Sequence, residues 1–305
     1  MIAIFMAFTL KHIFLNYTKG WTDMKKIGLI LEGGGMRGIY TAGVLDFFIE
    51  KNIEVDVVIG VSAGICHGAS YVSKQYKRAY NTNIDYIDKK EYLSFRNFIK
   101  TGSIFGMDFM FQKIPNELNL YDYDTFKNSK TKFISVATNC DSGEAEYFHL
   151  KDLKKDTIYM QASCSIPVLA NIVNIDGYKL LDGGVTDSIP IEYAMKEGCE
   201  KVIVVLTRDE TYKKSKQKFI PIIKLLYKKY PNLIKAIENR HNNYNNSLSI
   251  VNDLCKKDKA LTIRPKNPVK VSQVEKDKNK LTSLYEEGYN DAKELYDDII
   301  NFIER

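Results

Sequence analysis

Cysteine is scarce and unpatterned in this chain of 305 residues. The five cysteines (Cys66, Cys140, Cys164, Cys199, Cys255) form no CxxC pair and share no metal-ligand spacing with the four histidines. That excludes a disulfide framework and the common zinc motifs, so the expected metal complement is none. It also points to buried thiols in a reduced compartment. Long hydrophobic runs are missing too. Ile2 to Leu10 falls far short of the ~20 residues that span a bilayer. It also lacks the basic start and small-residue cleavage site of a signal peptide. A cytoplasmic location is the expectation, with contact at the inner membrane face as a peripheral protein. Internal repeats and low-complexity linkers are absent as well.

An excess of positive charge is absent from most of the chain. Residues 1–200 hold 22 Lys+Arg against 24 Asp+Glu, whereas 201–305 hold 22 against 14, and the net charge is +6. The surplus is concentrated in 213–240, where eight lysines and Arg240 face only Glu238. So local a field argues against a nucleic-acid binder and for contact with an anionic surface, a membrane face above all.

What is present is a globular composition, 45% hydrophobic, with material for an ample core. The chain reads as three parts. Residues 1–23 form an N-terminal extension. Met24-Lys25-Lys26 opens a strand directly and reads as a natural start. Codons for Lys19-Gly20 would be purine-rich, as a bacterial ribosome-binding site is, so 1–23 is expected to lie outside the natural chain. Residues 24–206 alternate strand and helix, and 207–305 form a basic, mainly helical C-terminal region packed on that core.

Lys26 to Leu31 is an unbroken apolar run, as a buried parallel strand requires. Helical spacing follows over 40–50, a second strand over 56–59 and a helix from Ala63. Residues 91–126 are irregular and rich in aromatics and Met, suited to an acyl pocket, a lid or plain cover for the sheet. Strands are expected at 133–138 and 145–150, and a helix over 158–164. A hairpin turns at Asp176-Gly177, then come a helix over 191–196 and a buried strand over 201–206. The pattern predicts a three-layer α/β/α fold with a mostly parallel, doubly wound sheet and a helical C-terminal appendage. A short strand over 260–263 and an acidic helix over 280–303 complete the chain.

Two glycine-rich runs end the first two strands. Gly60-Val61-Ser62-Ala63-Gly64 has the form of a sharp strand-to-helix turn that exposes a serine hydroxyl. A plain turn with a serine cap would read the same way. Gly33-Gly34-Gly35-Met36-Arg37-Gly38 formally matches a dinucleotide fingerprint. That reading needs an acidic residue at the end of the second strand, but Glu54 and Asp56 stand at its beginning. The alternative is an oxyanion hole built from backbone N–H groups around Gly34 and Gly35, with Arg37 adding positive potential.

A serine nucleophile needs a base. His67, His149 and His241 each read better as surface or core histidines. Asp182-Gly183-Gly184, at the end of a short strand, is the better candidate. An ordinary aspartate, with a pKa of about 3.9, is a weak acceptor. Burial beside an apolar pocket would raise that value and improve the match. An ester's leaving group also demands less of the base than an amide's, which favours ester substrates.

Together these three motifs, with Ala162-Ser163-Cys164-Ser165-Ile166-Pro167, resemble those of the patatin-like phospholipases over about 27–206. The resemblance implies a Ser62–Asp182 dyad with Ser62 as nucleophile and Asp182 as proton acceptor. It also implies an oxyanion hole from residues 33–38, no cofactor, and a lipid or acyl-ester substrate. The implied activity is lipid acyl hydrolysis of the phospholipase A type. A soluble carboxylesterase or thioesterase, or an acyltransferase, would share every motif, and a non-catalytic lipid-binding module is the reading from another class.

Overall fold

The first apolar run is continuous because the strand it forms is covered on both faces. In the computed structural model, which describes residues 25–305, β1 (Ile27–Leu31) is buried at every position. The expected extension 1–23 lies outside the described residues. In chain order there follow α1 (Ile39–Glu50), β2 (Val57–Val61), α2 (Ala63–Val72), α3 (Arg78–Ile84), α4 (Phe95–Thr101), α5 (Tyr123–Asn128), β3 (Lys132–Asn139), β4 (Ala145–Leu150) and α6 (Leu153–Ser163). After these come β5 (Val173–Ile175), β6 (Tyr178–Asp182), α7 (Ile191–Lys196), β7 (Lys201–Val205), α8 (Ile220–Leu226), α9 (Pro231–Lys256), β8 (Ala260–Ile263), α10 (Lys278–Glu294) and α11 (Tyr296–Glu304).

The sheet order is β5-β6-β3-β2-β1-β7-β8, with β4 paired to β3. Strands β3, β2, β1, β7 and β8 run parallel. The additions at the β3 end, β4, β6 and β5, are antiparallel. Alternate strand residues feed two cores. Leu29, Leu31, Val58 and Val205 pack with α1, α2 and α10. Ile30, Ile59, Val136 and Val204 pack with Ile191 of α7 and Tyr244 and Val251 of α9. This is the expected three-layer, mostly parallel α/β arrangement.

One strand organises the rest. Along its first half β3 pairs with β2, ending at Val61↔Val136. From the next residue it pairs with β6, beginning at Ala137↔Asp182. The end of β2 and the end of β6 therefore meet consecutive residues of β3. The hairpin expected at Asp176-Gly177 joins β5 to β6, both turn residues taking positive φ (49° and 81°).

Some boundaries differ from expectation. The helix expected over 158–164 starts at Leu153, because Asp152 caps it by accepting from Lys154 N at 3.1 Å; the polar Lys154-Lys155-Asp156 obscured that first turn. The helix expected over 280–303 is two, α10 and α11, divided at Leu295. The C-terminal region is mainly helical, and its β8 also extends the central sheet alongside β7.

Helix α10 crosses α1 at backbone distance. A Cβ on Gly43 would lie 2.0 Å from the Tyr285 carbonyl oxygen, and one on Gly288 would lie 2.1 Å from that of Tyr40. Reciprocal hydrogen bonds lock the crossing: Tyr40 donates to Asp291 and Tyr285 to Asp46, both at 2.8 Å. Gly288→Leu should therefore destabilise the fold by about 3 kcal/mol. An unaltered thermal midpoint in that variant would show that the crossing contributes little.

Candidate active site

Ser62 follows β2 directly and precedes α2, at φ 53° and ψ −123°. This conformation is strained for a residue with a side chain, and strain of this kind gathers at functional turns. The motif glycines make the turn possible. A Cβ on Gly64 would lie 2.3 Å from the Leu31 carbonyl oxygen, and one on Gly60 would meet Ile65 backbone at 2.5 Å. The Ser62 N–H is fixed by donating to Ser163 Oγ at 2.8 Å, at the end of α6. Val61 and Ala63 flank it as the last residue of β2 and the first of α2.

Asp182 reaches the same place through the β3 handover. Its carboxylate accepts from the Gly184 N–H at 2.7 Å, and its backbone carbonyl accepts from Thr138 Oγ1 at 2.8 Å. Burial raises its pKa above the ordinary carboxylate value, while Arg240, the Ser62 hydroxyl, the Gly184 N–H and Lys214 pull it down. Gly183 and Gly184 form the short turn that leaves the strand.

The first glycine run wraps the turn. A Cβ on Gly33 would lie 2.9 Å from Ser62 Cβ, and one on Gly38 2.7 Å from Ala63 Cβ. Gly35 takes a positive φ of 57°. The N–H groups in this run are not equivalent. Met36 N donates to Gln273 O at 3.1 Å and Arg37 N to Gly34 O at 3.3 Å. Among the described residues, the N–H groups of Gly34 and Gly35 have no hydrogen-bond partner.

The histidines lie elsewhere in role. His67 is buried against the Gly38 backbone, and burial pushes its imidazole down to about 4. His149 bonds Tyr193 Oη at 3.2 Å, and His241 Nδ1 bonds Glu238 O at 3.0 Å. No histidine among the described residues is hydrogen-bonded to Ser62. Cys66 and Cys164, both free, approach to 3.4 Å between sulfurs close to the serine.

Ser62 lies where two cavities meet. One, of about 1020 Å³ including its mouth, is lined mostly by apolar groups, among them Phe105, Met107, Met110, Phe111 and Met160. The aromatic and Met-rich segment is thus divided. Its 105–111 part lines the cavity, while Phe95 and Ile99 of α4 are exposed. The second cavity, of about 600 Å³ including its mouth, holds Gly33, Gly34, Gly35, Ser62, Asp182 and Gly184 together. Glu32, Arg37, Arg208, Lys214 and Arg240 also line it.

Sequence reasoning missed Glu32 and Arg208 at the site, and it quoted Ser163 within a motif without giving it a role. It assigned Lys214 and Arg240 to a basic stretch that contacts an anionic surface, and the structure turns both inward to line the polar cavity. The available signal was the four-residue spacing of Arg240 and Tyr244, which sets both on one face of α9.

Comparison with known proteins identifies the family. The model of the patatin-like phospholipases matches residues 29–195, and that of a domain of unknown function, DUF6363, matches 230–304. The uncharacterized protein YjjU of Escherichia coli K12 is 29% identical over 188 residues, which are 60% of this chain and 52% of YjjU. Lysophospholipase NTE1 of Saccharomyces cerevisiae is 28% identical over 187 residues, 59% of this chain and 10% of its own length. The chain thus spans about half of one relative and a tenth of the other. VipD from Legionella pneumophila shares the fold, with a TM-score of 0.50 at 13% identity over 90% of this chain and 67% of VipD. With the family match running from β1 to α7, over more than half of its residues, the chain belongs to the patatin-like phospholipases, a family of lipid acyl hydrolases.

Proposed function

We propose that this protein is a serine acyl hydrolase that cleaves fatty-acyl esters of lipids, with Ser62 as nucleophile and Asp182 as proton acceptor. The observation that carries the reading is Ser62 on a strained turn at the junction of an apolar cavity and a polar one that also holds Asp182. The acyl chain lies in the apolar cavity and the alcohol part of the ester in the polar one.

Asp182 takes the Ser62 proton as the hydroxyl oxygen attacks the ester carbonyl. The N–H groups of Gly34 and Gly35 stabilise the resulting oxyanion, and the N-terminus of α2 adds favourable potential. The tetrahedral intermediate collapses, the carbon–oxygen bond to the alcohol breaks, and the alkoxide leaves with the proton held by Asp182. Water then attacks the acyl-serine as Asp182 takes one of its protons. The bond from the acyl carbon to Ser62 Oγ breaks, that oxygen takes the proton back from Asp182, and the free fatty acid departs. A fluorophosphonate probe should label wild-type protein at Ser62. Labelling at another residue, or none, would overturn the assignment.

The reading includes contact with an anionic membrane. Helices α4 and α8 both pack beside the segment 166–171 that borders the site. Ile104 N donates to Leu169 O at 2.8 Å, and Val168 N donates to Tyr227 Oη at 2.8 Å. They expose Phe95, Ile99, Phe219, Ile222, Leu225 and Leu226. Exposed apolar groups flanked by lysines suit an interfacial segment, and no helix among the described residues is long and apolar enough to cross a membrane. Changing Lys213, Lys216, Lys218, Lys228 and Lys229 to Gln should weaken binding to anionic vesicles at least ~10-fold, at roughly 1 kcal/mol per lysine near the surface. Equal binding by this variant would reject the docking surface.

A further inference from the structure

The polar cavity beside Ser62 holds more positive than negative charge. Arg37, Arg208, Lys214 and Arg240 line it, against the carboxyl groups of Glu32 and Asp182. Among the described residues none of the four cations makes an ion pair. Glu32 is engaged by other donors. It accepts from Thr207 N at 2.6 Å, Thr207 Oγ1 at 3.1 Å and Tyr244 Oη at 2.8 Å. Arg37 is 9% exposed, and its Nε is buried without any partner.

The other three cations are held by structure rather than by acids. Arg208 stacks over Tyr212, its guanidinium carbon 4.6 Å from the ring centre. Lys214 Nζ lies 4.4 Å from the ring centre of Tyr244. The Lys214 backbone is pinned to α9, its N–H donating to Asn245 Oδ1 at 2.9 Å and its carbonyl accepting from Asn245 Nδ2 at 3.0 Å. Arg240 uses its Nε on the Gly184 carbonyl. Its remaining N–H groups make no hydrogen bond among the described residues.

Gathering unpaired cations out of water is costly unless an anion joins them. Burial brings Arg37 down to about 10, with Arg208 the next cause, and Lys214 down to about 7, with Arg240 the next cause. With Glu32 and Asp182 ionised and Lys214 protonated, as a bound anion would favour, the four cations leave two positive charges over. A phosphomonoester carries close to two negative charges at neutral pH and three acceptor oxygens. Arginine forks match that geometry.

We propose that this cavity is a headgroup subsite that binds the phosphate of the lipid substrate, a terminal phosphomonoester above all, and that the C-terminal region supplies three of its four cations. The proposal rests on Ser62 as nucleophile, because that serine puts the cleaved ester and the phosphate on one molecule. Residues 207–305 thereby gain a chemical role, that of one wall of the site.

The test compares 1-oleoylglycerol 3-phosphate, 1-oleoyl glycerophosphocholine, 1-oleoylglycerol and inorganic phosphate. Equilibrium binding is measured on full-length Ser62→Ala protein, and kcat/KM for the three lipids on the wild type. The phosphomonoester should exceed the neutral lipid by about 100-fold in both, as one or two charge-assisted hydrogen bonds would give, with the phosphodiester between them. The ratio should fall at least ~10-fold in Arg208→Gln and in Lys214→Gln, and Arg208→Lys should restore part of it. Inorganic phosphate should compete with the phosphate-bearing lipid. Equal affinity for charged and neutral lipids in the wild type overturns the proposal without recourse to any variant. Phosphate binding with no lipid preference overturns it too, since the cavity would then take free phosphate. Turnover surviving in Ser62→Ala would instead defeat the nucleophile assignment, while the binding arm still reads the subsite.

Discussion

Replacing Ser62 with alanine is expected to lower ester turnover by at least ~10³-fold, about 4 kcal/mol of transition-state stabilisation. The change removes the attacking oxygen and little else. The Ser62 hydroxyl caps no helix, and the turn is held by the backbone bond to Ser163 and by the close contacts at Gly60 and Gly64. Alanine must still adopt φ near 53°, which costs of order 1 kcal/mol, as it does for serine. Thermal stability should therefore change little while activity collapses. A Ser62→Ala protein that keeps turnover with a neutral short-chain ester would remove the serine from the mechanism.

Asp182→Asn should be as damaging, at least ~10³-fold, and should act through the proton rather than the shape. Asparagine can still accept from the Gly184 N–H, so the turn after β6 survives. It cannot take the serine proton. The pH profile separates this role from a structural one. Burial raises the Asp182 pKa, and catalysis needs the carboxylate, so wild-type activity should rise with pH through a value above the ordinary ~3.9. Below that value the proton already on Asp182 blocks it. Stability runs the other way. A carboxyl with a raised folded pKa binds its proton more tightly in the native state, so it contributes less stability as pH rises through the shifted range. Asp182→Asn should thus melt at the wild-type temperature or slightly above it at neutral pH. A clear fall in melting temperature would mean that the carboxylate is structural.

The candidate site is legible in the sequence because its motifs are local. A glycine that admits a backbone contact, and a serine between two of them, announce themselves within five residues. The parallel core is equally plain, since Ile27–Leu31 and Lys201–Val205 are apolar without alternation. What sequence pattern hides is convergence over long separations. Lys214 belongs to a basic run by composition, yet its bond to Asn245 turns it inward. Arg240 stands in a helix that looks solvated until its packing on the sheet brings it to Gly184. Gln273 takes the Met36 N–H and so divides the glycine run into engaged and free donors, which no spacing rule could reveal. Helix α6 shows a milder version of this blindness, its charged first turn masking the cap at Asp152.

The handover along β3 bears on how this protein could change over time. Val136 and Ala137 are consecutive, and they pair with Val61, the residue before Ser62, and with Asp182, so one strand rather than a loop sets both positions. Most loops and helices that line the two cavities stand outside this ladder. Under the proposed mechanism, substrate choice and bond cleavage therefore rest on different parts of the chain. The first is written in segments such as 105–111 and 208–240, the second in the hydrogen-bonded ladder of one strand.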